Sequence, residues 1–181
     1  MFSISHEGDD QWADALADRE GTQRQKTRHR LVAMRSAAVP ILEELIQDSR
    51  FQVPWEAALA MKELAYPSFV DPLLEALKDG EGDVRWVAAE GLGAIGAPAI
   101  GPLLHLLIKE GDSFELRDAA HVVISLLDDE ELRAVLMPVY RALVDRNPPE
   151  AVMAEASRAL EALKGVGAHS DTKEAGLPLP G

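Results

Sequence analysis

The chain repeats itself every 31 residues, and that period confines it to an architecture made by stacking one small unit. The stretch VPWEAALAMKEL from Val53 returns as VRWVAAEGLGAI from Val84. Trp55 falls on Trp86, Ala57 and Ala58 on Ala88 and Ala89, Met61 on Leu92, and Leu64 on Ile95. A further 31 residues on, Ala119, Ala120, Val123 and Leu126 take the same places, and Ala156, Ser157, Leu160 and Leu163 do so again after a longer gap.

A second block alternates with the first. It reads proline, two apolar residues, two variable residues and an apolar residue. Its four copies begin at Pro40, Pro72, Pro102 and Pro138 and close on Leu45, Leu77, Leu107 and Leu143. Spacings of three and four residues place apolar side chains on one face of a helix. A proline opening the block suits the first helical turn, where its missing N–H leaves nothing unpaired. Stretches such as AYPSFVD and GAPAIG separate the blocks and read as turns, so each unit is helix A, a tight turn, then helix B.

One such hairpin cannot bury its own apolar face, whereas copies laid side by side bury a continuous core. Composition agrees: 47% of residues are hydrophobic but only 5% aromatic. Small apolar residues, with alanine pairs in helix A, suit close helix packing. No segment alternates with a period of two over the length of a strand. The expectation is an all-α solenoid of about five units, the outer two incomplete as capping units are.

The run Asp83 to Leu104 resembles the HEAT-like repeat first described in phycobilin lyases, whose pattern is D-x-x-V-R-x-x-A-A-x-A-L-G-x-I-G followed by a P-x-L helix. The resemblance is closest over residues 83–108. It implies a short right-handed α-α superhelix with a concave face built from B helices, spanning residues 25–165. Residues 1–24 then form an acidic extension able to make one short helix that pairs Trp12 with Leu16, with Asp9 or Asp10 as its cap. Residues 166–181, rich in Gly and Pro, read as a flexible tail.

Charge narrows the choice of partner. The net charge is −13, which repels phosphate backbones and argues against nucleic acid. The charge is uneven: Arg24, Lys26, Arg28, Arg30 and Arg35 fall in a stretch without an acid. That run reads as a solvated helix face neutralised by the acidic amino terminus, with a hook for an acidic partner as the alternative. The absence of cysteine excludes disulfides, thiolate metal sites and a Cys nucleophile. With no secretory pattern at the start and no apolar run of membrane-spanning length, the default reading is a cytoplasmic protein that does not enter a membrane.

Sites of chemistry are harder to find. Gly91-Leu92-Gly93-Ala94-Ile95-Gly96 spells a dinucleotide fingerprint, but it follows a helical stretch rather than a strand. Gly91 and Gly93 therefore read as interior residues of helix A and Gly96 as its stop. Of His6, His29, His105, His121 and His169, none has a second ligand at a metal spacing. His6-Glu7 is a single His-Glu pair, where deoxyhypusine hydroxylase, an iron enzyme on similar repeats, uses several. Asp128-Asp129-Glu130-Glu131 reads as an acidic helix N-terminus favoured by the helix dipole. Trp55 and Trp86 read as packing residues between hairpins, with a stacking ladder for bases or bilins as the alternative.

No catalytic residue, cofactor or metal is implied. The reading is a non-catalytic scaffold that binds another protein, alone or as a subunit of a hetero-complex. The alternatives are a lyase or chaperone-like subunit acting on a tetrapyrrole-binding protein and, less well supported by the acidic charge, a HEAT-like DNA glycosylase. Counting from the proline of each B helix locates a binding face. Three residues on stand Glu43, Glu75, His105 and Arg141; seven on stand Gln47, Asp79, Lys109 and Asp145. The two positions are a turn apart and share a face. The partner-binding ladder expected there is Glu43, Glu75, Asp79, His105, Lys109 and Arg141, acidic first and more basic later.

The repeat register makes a stability prediction. It buries Ala58, Leu64, Leu74, Leu77, Ala89, Leu92, Ile95, Leu104, Leu107, Ala120, Val123, Leu126 and Leu143 between hairpins. Leu92→Ala and Leu104→Ala should each lower the unfolding free energy by roughly 2–5 kcal/mol in urea titration, and an unchanged midpoint in both would refute the register.

Overall fold

The computed structural model describes the backbone of residues 7–170 and the side chains of residues 10–164. His6, the side chain of His169 and the segment 171–181 lie outside the described residues. The fold is an all-α solenoid with no strand among the described residues. In chain order the helices are α1 Glu7–Leu16, α2 Gly21–Ala33, α3 Val39–Leu45, α4 Gln52–Leu64 and α5 Val70–Ala76. They are followed by α6 Gly82–Ile95, α7 Ala97–Glu110, α8 Phe114–Ser125, α9 Glu130–Val144 and α10 Pro149–Ser170.

Helices α2, α4, α6 and α8 stand side by side as one row, the A row. The alanine pairs make this spacing possible: Ala57, Ala58, Ala88, Ala89 and Ala120 are all fully buried. Glycine sharpens it at one point. A Cβ on Gly93 would lie 2.9 Å from Cβ of Leu126, closer than real side chains approach. The second row, the B row, holds α3, α5 and α7. Leu42, Leu73, Leu77, Leu103, Leu104 and Leu107 point from it into the core and are fully buried.

Helices α4 and α6 each stop on a residue of positive φ, where the chain turns sharply. Ala65 (φ 49°, ψ 39°) ends α4 and Gly96 (φ 75°, ψ −134°) ends α6, 31 residues later. Arg35, at φ 56°, follows α2 in the same role. The turn after α6 is thus Gly96 alone, and the rest of GAPAIG is already helical. The prolines also differ from expectation. Pro40 and Pro72 sit at the head of short helices, each preceded by a 3-10 turn (Arg35–Ala38 and Pro67–Phe69). Pro102 and Pro138 lie inside longer helices. A 3-10 turn and a continuous helix are two ways of leading the chain to the same proline; in the second, the missing N–H leaves one carbonyl a turn earlier without its helical donor.

The regular order breaks at the carboxy-terminal end. α10 packs beside α7 and α9, while the main neighbours of α9 are α8 and α10. Met153, near the start of α10, lies against Gly111 at the end of α7, so these two helices run in opposite directions. Tyr140 of α9 stacks on His121 of α8 with ring centroids 5.0 Å apart. Helices α7 to α10 therefore close as an up-down ring, with α10 in the B row and α9 extending the A row. This corrects the expectation that each unit runs A then B, and it explains Leu126. That residue is 44% exposed rather than buried, because it packs back on Gly93 and the chain then leaves into α9 without a regular A helix to cover it. Ile95, the last residue of α6, is half-buried against the core rather than fully covered. The remaining core assignments hold, Leu92 and Leu104 among the fully buried residues.

At the other end α1 docks against α2, α3 and α4 and buries Leu16 completely. Arg50 clamps it, with 2.7 Å contacts to Asp14 of α1 and to Asp48. The guanidinium hydrogen bond holds the Asp48 carboxyl below its usual range, although partial burial opposes this. Arg30 lies over the Trp12 ring at 5.0 Å. Within the basic run Arg24 and Arg28 turn inward, while Lys26, Arg30 and Arg35 stay exposed, so the run is a solvated face only in part. Glu56 of α4, only 2% exposed, receives Arg28 at 2.5 Å and Arg24 at 3.3 Å, and Arg28 also reaches Glu63 at 3.0 Å. A carboxylate taken out of water needs such partners.

Two predictions follow from these contacts. Ala65→Gly should raise stability by up to about 1 kcal/mol, the relief of a left-handed Cβ less the added freedom of the unfolded chain. Gly96→Ala, at the equivalent position, should lower it by roughly 1–3 kcal/mol; thermal unfolding of the pair should show opposite signs. Separately, Glu56→Ala should destabilise by about 3 kcal/mol, because two guanidinium groups lose their buried partner. Glu63→Ala, at the exposed end of the same network, should cost less than about 1 kcal/mol in the same urea titration.

Candidate functional site

Along the B row the apolar positions after each proline turn inward and leave the third and seventh positions to solvent. Glu75, His105, Lys109 and Gln47 are exposed, and Glu43 and Asp79 are partly so. Between α3 and α5, Glu43, Gln47, Glu75 and Asp79 line a groove of about 530 Å³. Its charged residues are Glu43, Asp71, Glu75 and Asp79, with no base among the lining side chains. Between α5 and α7 lies a second groove of about 350 Å³, which shares Asp71 and Glu75 with the first and adds His105 and Lys109. The two form one trough across three B helices, acidic on the α3 side and mixed on the α7 side.

Local contacts set how much of this charge is free. Lys78 pairs with Glu75 at 2.8 Å and with Glu110 at 3.8 Å, and Glu75 holds its ammonium above the usual lysine range. Lys109 contacts Glu110 at 3.2 Å. Nδ1 of His105 lies 2.9 Å from the carbonyl oxygen of Gly101. Glu43, Asp71 and Asp79 form no salt bridge among the described residues, so the acidic end keeps its field.

The trough holds five of the six ladder residues expected from sequence: Glu43, Glu75, Asp79, His105 and Lys109. Arg141 lines neither groove. It is exposed on α9, which continues the A row, so the proline count gives the right turn of the helix but the wrong row.

The other candidate motifs resolve locally. Gly91 and Gly93 lie inside α6 and Gly96 ends it, with no strand ahead of them. Asp129 caps α9, its carboxylate accepting the Leu132 N–H at 2.9 Å, with Glu130 and Glu131 in the first turn. Among the described residues no group of three or more His, Asp or Glu side chains is gathered as a metal site would be. No helix of the described residues is long and apolar enough to cross a membrane.

The two repeat tryptophans part company. Trp55 is half-buried against the core, as a packing residue would be, but Trp86 is 56% exposed. Trp86 stands with Phe114 over a groove of about 490 Å³ between α6 and α8. Sequence reasoning missed this site because alignment made Trp86 equivalent to Trp55. The available signal was Phe114, one of few aromatics in the chain, directly after the serine that caps α8.

Residues 37–124, from the turn before α3 into the last turn of α8, match the family of HEAT repeats. The matched span contains the whole trough and the groove beneath Trp86. No curated protein matches the chain.

Proposed function

We propose that the protein is a non-catalytic scaffold whose B-row trough docks a segment of another protein. The observation that carries this reading is the continuity of the trough. Charged side chains at one repeat position stand along successive helices, above leucines that are fully buried and so hold the rungs in place. HEAT repeats are commonly protein-interaction scaffolds, and stacked units offer extended surfaces of this kind.

The charge order sets the polarity of the occupant. A basic stretch faces Glu43, Asp71, Glu75 and Asp79, and an acidic or neutral stretch faces His105 and Lys109. Such complementarity chiefly governs orientation and association rate. Four carboxylates at one end also repel a phosphate backbone, which supports a protein partner over nucleic acid.

The test is a partner isolated by affinity capture and then titrated against purified variants at two salt concentrations. Glu75→Lys combined with Asp79→Lys should weaken binding by about tenfold and reduce or invert its salt dependence. Asp128→Lys combined with Glu131→Lys, an equal reversal at the start of α9, should leave both unchanged. Equal losses from the two reversals would remove the trough from the scaffold reading.

A further inference from the structure

We infer that the groove between α6 and α8 is a second docking surface, on the A row, which takes an arginine-bearing apolar segment of a partner protein against Trp86 and Phe114. Its floor is made of small buried residues, Ala89 and Ala119. Its walls are Trp86 and Phe114, 56% and 47% exposed. Large aromatic faces left in water over a concave floor are the usual anchor points of recognition. A volume of about 490 Å³ accommodates a few side chains rather than a whole domain.

Charge decides what enters. Glu115 and Asp118 line the groove from one face of α8, three residues apart, and both are exposed. The Glu115 carboxyl is held below its usual range by its own backbone N–H and then by the Ser113 hydroxyl, so it stays anionic. Arg85 supplies the groove's one guanidinium, and its Nη1 already donates to the carbonyls of Asp79 at 2.7 Å and Gly80 at 3.0 Å. Two acids against one committed base leave the groove short of a positive charge.

The molecule meets the same need elsewhere with arginine. Arg30 lies over Trp12 at 5.0 Å and Arg146 over Phe114 at 5.8 Å, whereas no cation lies over Trp86 among the described residues. A planar guanidinium stacks on an indole face and hydrogen-bonds a carboxylate through its edge, which an ammonium does less well. Arginine flanked by apolar residues thus satisfies both the ring and the acids. This surface lies on the A row, apart from the B-row trough among α3, α5 and α7, and the two meet only where the Asp79 carbonyl accepts from Arg85.

The test uses a dye-labelled, capped peptide with one central arginine among leucines and prolines, followed by fluorescence anisotropy against the full chain. A copy with glutamate in place of the arginine should bind at least about tenfold more weakly. Trp86→Ala, and separately Glu115→Gln combined with Asp118→Asn, should weaken the arginine peptide by a similar factor. Glu43→Lys combined with Glu75→Lys should change it less than about twofold, which separates this groove from the trough. Helicity of each variant is checked by circular dichroism, and the amide pair carries the test should Trp86→Ala fail to fold. Absence of saturable binding, equal affinity for the glutamate copy, or loss on B-row reversal in place of loss at Trp86 would overturn the inference.

Discussion

The structure depends on how closely the A helices approach one another. Ala57, Ala58, Ala88, Ala89 and Ala120 leave α4, α6 and α8 almost bare of side chain where they meet, and Gly93 admits the stem of Leu126 at a distance no Cβ would tolerate. Small residues lose little side-chain entropy on burial, so the row gains dense packing at low cost in conformational freedom. The larger leucines of the B row then fill the space behind it. Enlarging one alanine in the A row would move every rung of the trough beyond it, because each unit takes its position from its neighbour.

Charge is arranged on this frame in two distinct ways. At the amino-terminal end it is turned inward: Glu56 is buried between Arg24 and Arg28, and Arg50 ties α1 to the loop before α4. These groups fix the first helices and have little left to offer a ligand. In the trough and beneath Trp86 the carboxylates face solvent, with few or no fixed partners. The same residue types serve as mortar in one place and stand open to solvent in the other, and the difference is whether a partner cation from the chain itself has reached them.

Much of this was legible in the sequence, for a physical reason. A 31-residue period with apolar spacings of three and four defines both helices of each unit and the side each buries. Residues such as Leu92, Leu104 and Ala120 fall where that spacing puts them. Five of the six ladder residues face the trough because a proline at fixed distance sets the rotation of each B helix. What escaped prediction depends on the end of the array. Arg141 and Leu126 obey the repeat locally, yet their surroundings are decided by α9 and α10 exchanging rows, a tertiary event that no local pattern encodes. The pairing of Arg24 and Arg28 with Glu56 escaped for a similar reason: the contact spans some thirty residues and depends on one unit stacking on the next.

The exchange of α9 and α10 bears on how such a chain can lengthen. A solenoid that keeps its A-then-B order presents, at its last unit, a face matching the one just covered, and another module or another molecule can be laid upon it. Here α10 runs against α7 instead of along it, so that face is no longer a copy of those before it. Duplication of a 31-residue module is therefore accommodated upstream of α8, where the register persists, whereas beyond it a copy would meet no matching face. Growth by repetition is thus confined to the interior of the described array.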